Sequence, residues 1–381
     1  MITFIQGDVL ERLAQLPHNH FQAALFDPPY GLKGLGWDSE VHSEIALNAP
    51  FWEGLKRVLM PFGIAAAFSA ARLYHRLAAA AEDAGFDIMP LFGWLKPNGT
   101  TYIPALKGDG LDGFVYGISP LRATLEPVLW ARKRYTGWEK DIEVIRRTGA
   151  GLVNARTSGV PRRRAEQKIR RPYYDHVYRK QCLRRVKSWQ SNPYRMGGNL
   201  VLMHEPDCTP AQCVKGCAAA RLNALGARRE PYIKAVFNRF EQIVSAQAPT
   251  IYCARAENDE RDAGVPEALA APNSHGELVR NPHPTVKPFA LCMYLAYLLL
   301  PPARYAPMRR ILVPFSGSGT EAIAAYLAGW DEVVAIEINP AYIEVARGRA
   351  AHWANYRAEA LADIGVAEAT QQAAFVQQEL F

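Results

Sequence analysis

An α/β architecture, a central sheet with helices on both faces, follows from three features of this 381-residue chain. Short apolar runs alternate with helix-length stretches over residues 1–135, and the alternation resumes from Thr285. That is the pattern of βα units. A second feature is the run Arg310 to Pro314, which leads into Phe315-Ser316-Gly317-Ser318-Gly319-Thr320, then a helical stretch and another apolar run ending in Glu337. The third is the run Ala23 to Phe26, stopped by Asp27-Pro28-Pro29-Tyr30, because consecutive prolines cannot continue a central strand.

In chain order, Ile2 to Ile5 predicts a strand, Val9 to Leu16 a short helix and Ala23 to Phe26 a strand. Phe51 to Leu59 predicts a helix, Ile64 to Phe68 a strand, and Ala71 to Ala84 a helix. Ile88 to Trp94 and Thr124 to Trp130 complete this half as strands, and the alternation argues for a parallel sheet. From about Tyr135 to Tyr252 arginine, proline and short polar segments replace the alternation, as expected of an insertion that does not complete the sheet. The division is therefore 1–135, an insertion over 136–275, a second α/β half over 276–355 and a tail over 356–381. The tail is Ala-, Glu- and Gln-rich and is assigned no role. Arg310 to Pro314 and Val333 to Ile336 predict strands around a helix from Glu321 to Ala328. The first of these strands and the one ending at Asp27, though far apart in sequence, should be sheet neighbours whose carboxyl ends flank one crevice.

Net charge is +7 and the isoelectric point about 9.0. The excess is local. Arg162, Arg163, Arg164, Lys168, Arg170, Arg171, Arg179, Lys180, Arg184, Arg185 and Lys187 face only Glu166 and Asp175, leaving the rest of the chain slightly acidic. Tyr173, Tyr174, Tyr178 and Trp189 are interleaved with them, which suits a phosphate-rich partner whose bases can stack. No apolar run reaches the length of a membrane span, since Leu291 to Leu300 ends at Pro301-Pro302. With no secretory pattern at the N-terminus, a soluble, cytoplasmic protein is expected.

The chemistry resides in two of these motifs. Asp27 and the Pro28 carbonyl can accept the two hydrogens of an exocyclic amine on a planar heterocycle, while Tyr30 offers a ring face; Pro29 keeps the turn rigid. At the other end, Gly317 and Gly319 let a ligand approach the backbone, and Glu337, about twenty residues on, can hold a ribose diol. No Gly-Lys-Ser/Thr follows, so the loop is not a phosphate cradle. An adenosine-bearing cofactor with no required phosphate fits, S-adenosylmethionine foremost.

Six cysteines do not form a secreted disulfide pattern. His204, Cys208, Cys213 and Cys217 contain the donors of a tetrahedral zinc site, but their spacing lacks a CxxC pair. Reduced thiols are the default and no metal is expected. Cys182 and Cys292 read as packing residues, and His75 and His283 as structural histidines.

These motifs resemble the amino-group DNA methyltransferases of the β class, which run in the order amine motif, target-recognition region, cofactor motifs. Gly7-Asp8 with Asp27-Pro28-Pro29-Tyr30 looks like the N-terminal pair. His283-Pro284-Thr285-Val286-Lys287-Pro288 looks like the segment opening the cofactor half, and Phe315-Ser316-Gly317-Ser318-Gly319 like its glycine loop. Gly36-Trp37-Asp38, Tyr74-His75-Arg76, Glu126-Pro127 and His204-Glu205-Pro206-Asp207-Cys208 are similar to phage- and prophage-type members. The resemblance implies a circularly permuted Rossmann-like sheet that binds S-adenosylmethionine, with residues 136–275 reading double-stranded DNA. It places Asp8 at the cofactor adenine, Glu337 at the ribose and Phe315 at the methionine end, and it counts Asp27, Ser316, Gly317, Gly319 and Thr320 among the cofactor-binding residues. Thr285 and Lys287 fall near its carboxylate. An Asp opening the amine motif goes with adenine N6; cytosine N4, an RNA substrate and a DNA-binding relative without catalysis are the alternatives. A homodimer is allowed, with Leu291 to Leu300 or the terminal helix as its surface, and a restriction partner is left open. One departure stands out: the family usually has an acid where this chain has Val313.

Overall fold

The computed structural model describes residues 1–31, 44–95, 106–115, 124–154, 258–272 and 278–361, with short pieces at 160–161, 194–195, 200–202, 214, 233–234 and 256. The first half supplies β1 (Ile2–Gln6), α1 (Val9–Gln15), β2 (Phe21–Phe26), α2 (Ala49–Val58), β3 (Leu59–Phe68), α3 (Tyr74–Asp83), β4 (Phe86–Ile88), β5 (Phe92–Leu95) and β6 (Leu125–Lys133). Next come α4 (Asp141–Thr148), the two-residue strands β7 (Val160–Pro161) and β8 (Tyr194–Arg195), β9 (Leu200–Leu202) and β10 (Ile233–Lys234). The last part holds α5 (Asn258–Asp262), β11 (Ala271–Pro272), β12 (Leu278–Val279), α6 (Phe289–Leu299), β13 (Arg310–Pro314), α7 (Thr320–Leu327), β14 (Glu332–Glu337) and α8 (Pro340–Ala354).

One sheet organises these elements in the order β1-β14-β13-β2-β3-β6-β5-β9-β10, with β4 also on β6. From β1 to β3 every pairing is parallel. The all-parallel expectation fails at β6, which runs antiparallel to β3, β4 and β5. Parallel entry needs a crossover connection; between β5 and β6 the described residues 106–115 form turns rather than a helix. The predicted strand Ile88 to Trp94 is two strands, β4 and β5, interrupted at Met89-Pro90-Leu91, where Pro90 has no N–H for a ladder.

Burial on both faces explains why the central strands read as continuous apolar runs. In β2, Ala23 and Leu25 enter one core while Phe21, Ala24 and Phe26 enter the other. β13 divides likewise, Ile311 and Val313 against Leu312. Helices α1, α2 and α3 cover one face; α6 and α7 cover the other. Ten of the eleven residues of α6 are buried, so Leu291 to Leu300 belongs to the core and is not available as a dimer surface.

Residues assigned to the insertion also meet the sheet. β9 pairs in parallel with β5 and extends it. Gln22 donates to the Thr148 carbonyl at 3.4 Å, and the Asn154 amide to that of Leu298 at 2.6 Å. The basic cluster from Arg162 to Lys187, the zinc candidates His204, Cys208, Cys213 and Cys217, and the loop 32–40 lie outside the described residues. No described helix is long and apolar enough to cross a membrane.

Candidate active site

Strands β13 and β2 lie side by side, with Ile311 opposite Ala23 and Leu312 opposite Ala24. The chain leaves β13 toward β14 on one side and β2 toward β3 on the other, making a switch point at their carboxyl ends. A cavity of about 250 Å³ opens there. Asp8, Asp27, Pro28, Pro29, Tyr30, Thr285, Lys287, Phe315, Ser316, Gly317, Thr320 and Glu337 all line it. Gly319 does not. It caps α7 from behind with φ +85°, where a Cβ would press on Ala346.

The glycine turn is built from close contacts. Phe315 adopts φ +60°, a region that costs a non-glycine residue roughly 1–3 kcal/mol. Its ring is held against Phe51 and Phe26, with centroids 5.1 and 6.2 Å away. Gly317 has φ +49°, and His283 occupies the place of a Cβ. Burial pushes the His283 imidazole down to about 3, so it is neutral; Nδ1 accepts from the Thr285 amide at 3.3 Å. His283 is a structural wedge. Glu337, at the end of β14, accepts from the Gly317 amide at 2.8 Å and the Asn339 amide at 2.9 Å. Burial raises its carboxyl above the usual range, although those amides oppose the shift. Asp8 caps α1 through one oxygen, which accepts from the Leu10 and Glu11 amides at 2.9 and 3.3 Å.

Around the amine motif a second network has formed. The single proton of the Tyr30 hydroxyl is shared between Asp27 Oδ1, at 2.7 Å, and Glu126 Oε1, at 3.1 Å. Lys287 Nζ rests on Asp27 Oδ2 and lies 3.2 Å from Glu126 Oε1. Burial opposes the Lys287 charge, but Asp27 and Glu126 outweigh it and hold the ammonium above its ordinary range. Burial also raises Asp27, with Lys287 opposing. Tyr30 is raised well above its normal value by burial and by both carboxylates, so its phenol stays protonated and donates. A carboxylate has about four lone-pair sites, so Asp27 retains acceptor capacity. No described residue donates to the Pro28 carbonyl.

Sequence reasoning assigned no role to Glu126, Glu321 or Arg349. Glu126 was visible only as the start of a Glu-Pro phrase, and β6 carries it to Asp27 across the sheet. Arg349 is fully buried and donates from Nη1 to the Ser318 carbonyl at 2.7 Å and to Thr320 Oγ1 at 2.9 Å, tying α8 to the turn. Nothing in the pattern of α8 signals that role.

The lining suits S-adenosylmethionine. Asp8, Asp27, Glu321 and Glu337 face one ammonium among the described residues, Lys287, which is already paired. That balance favours a cation over a phosphate. Ser316 Oγ is buried with no hydrogen-bond partner among the described residues, an orphan that a polar ligand would satisfy.

A mixed sheet, parallel from β1 to β3, with a glycine turn and a pre-oriented carboxylate at its switch point is the scaffold of a nucleoside-cofactor enzyme. The chain belongs to the DNA methylase family of N6 and N4 amino-methyltransferases, whose model matches residues 21–348; it is a DNA methyltransferase that uses S-adenosylmethionine. No curated protein matches at a significant level. Among solved structures it is similar to PvuII DNA methyltransferase (cytosine-N4-specific), at 14% identity and TM-score 0.45, covering 95% of this chain and 93% of that one. A putative DNA modification methylase from Thermus thermophilus gives 15% and 0.41, over 93% and 95%. The M1.HpyAVI–SAM complex gives 14% and 0.41, over 92% and 98%. With TM-scores below 0.5 these likenesses carry no argument, and membership rests on the family model.

Proposed function

We propose that the chain methylates the N6 amine of adenine in double-stranded DNA, using Asp27 and the Pro28 carbonyl as the paired acceptors. The observation that carries the reading is their position: both line the cavity that the glycine turn enters from the neighbouring strand β13 and Glu337 from β14 beyond it. The acid that opens the motif supports adenine over cytosine through the family resemblance.

An aromatic amine is a poor nucleophile because its lone pair is delocalised into the ring. Asp27 and Pro28, accepting its two hydrogens, draw the nitrogen toward tetrahedral geometry and aim the lone pair into the cavity. S-adenosylmethionine, when bound, supplies a methyl group on a positively charged sulfur. Positioning and fixed dipoles then carry the rate, with no covalent enzyme intermediate. Rotating the base out of the duplex costs a few kcal/mol, of which stacking on Tyr30 returns about 1–3 kcal/mol. Hydrogen bonds to Asp27 and Glu126 anchor the Tyr30 hydroxyl and fix the ring. Ser316, Thr320 and Phe315 border the methionine end, Glu337 the ribose and Asp8 the adenine, with Thr285 and Lys287 toward the carboxylate. Residues 136–275 read the target, their basic cluster meeting phosphates.

Incubating duplex DNA with labelled donor and digesting it to nucleosides should yield N6-methyl-2′-deoxyadenosine by mass spectrometry; N4-methyl-2′-deoxycytidine instead would sink the base assignment. Glu337→Ala should weaken donor binding roughly tenfold or more by calorimetry, since a charged acceptor is worth about 1.5–3 kcal/mol. Unchanged affinity would remove Glu337 from the ribose.

A further inference from the structure

Glu321, in the first turn of α7, is a buried acid that the chemistry above does not use. It is 5% exposed and lines the cavity beside Ser316, Ser318 and Thr320. Among the described residues no Lys or Arg nitrogen lies within salt-bridge distance of it; its side-chain contact is the Cys292 thiol, 4.0 Å away. The cations nearby are committed elsewhere, Lys287 to Asp27 and Glu126, Arg349 to Ser318, Thr320 and the Glu260 carbonyl. An ionised carboxylate taken out of water without a partner is costly, so Glu321 either takes up a proton or meets a positive charge brought by a ligand.

We propose that Glu321 is the residue that binds the positive amino-acid end of the methyl donor, its carboxylate accepting the donor's ammonium. The proposal rests on S-adenosylmethionine as the donor and is independent of which base is methylated. Among the described residues, the groups that face Glu321 are Asp27 from the end of β2, Lys287 from the segment before α6, Cys292 from α6 and Arg349 from α8. Burial first, then Asp27, raises its carboxyl to about 7, with Lys287 and Arg349 opposing. A cation binds the ionised form, so donor affinity should rise with pH through this range.

Calorimetry on the full chain with two probes tests this. S-adenosylmethionine carries the ammonium; methylthioadenosine shares the nucleoside but lacks the amino-acid end. From pH 6 to pH 7 the wild type should bind the first about fivefold more tightly, following the ionised fraction of an acid near 7 while the donor's amine stays protonated. Glu321→Gln should flatten that slope and weaken S-adenosylmethionine roughly tenfold at pH 7, with methylthioadenosine unchanged. A Gln variant that binds S-adenosylmethionine within twofold of wild type overturns the proposal. Equal weakening of both probes overturns it too, marking Glu321 as structural. A wild type that binds neither probe overturns the donor assignment itself, a separate failure.

Discussion

Asp27→Ala should lower the rate of methyl transfer by roughly 10²–10³-fold or more, the range seen when one pre-oriented polar group is removed from a reacting centre. The loss should appear in kcat at saturating donor, because the interaction strengthens as the amine pyramidalises. DNA affinity should be nearly unchanged, since phosphate contacts dominate it. The fold should also survive, because Lys287 keeps Glu126 at 3.2 Å as its counter-charge. Asp27→Asn, which retains one acceptor, should fall between the two. Single-turnover transfer to duplex DNA, with fluorescence anisotropy for affinity, makes the comparison; near wild-type turnover in the Ala variant would remove Asp27 from the chemistry.

Lys287→Met tests the opposite side of the same network. The substitution leaves Asp27 and Glu126 buried, close together and without a cation, a situation that costs about 3–5 kcal/mol. The pH dependence has a definite sign. The folded pKa of Lys287 is raised, so its stabilisation is complete at every pH below the ordinary lysine value of about 10.4 and is lost only as pH rises through the folded value. In the variant Asp27, already raised by burial, loses the ammonium that opposes the shift, so stability falls as pH rises through the carboxylate range. Denaturant midpoints at pH 5 and pH 8 should therefore diverge from wild type mainly at pH 8. Equal midpoints at pH 8 would show that the ammonium does not neutralise this pair.

Local patterns made much of the scaffold legible. Apolar runs of strand length marked β2, β3, β13 and β14 because both faces of these strands are largely buried, leaving few polar positions to blur the signal. The edge strand β1, half-buried at Ile2, Phe4 and Ile5, was marked by a short apolar run. Consecutive prolines marked where β2 stops and which residues stand at its end. Where the signal failed, the cause was partner choice rather than propensity. The direction of β6 depends on how its connection returns to the sheet, and the apolar helix α6 carries the same residues whether it lines a core or a dimer.

The network around Asp27 belongs to the second kind of information. Asp27, Tyr30 and the glycine turn announce themselves because each needs a particular residue type at a particular turn, and turn geometry is a local property. Glu126 and Glu321 do not, and Lys287 was placed only by resemblance and without its carboxylate partners, since a carboxylate or an ammonium has no distinctive local signature. Their meaning comes from burial and from the sign of the nearest charge, which only the packing of strands and helices distant in sequence can set. Residue order alone thus specified the scaffold and the two motifs at its switch point; folding specified which charges meet there, because Coulomb energy depends on distance and solvent exclusion, not on position along the chain.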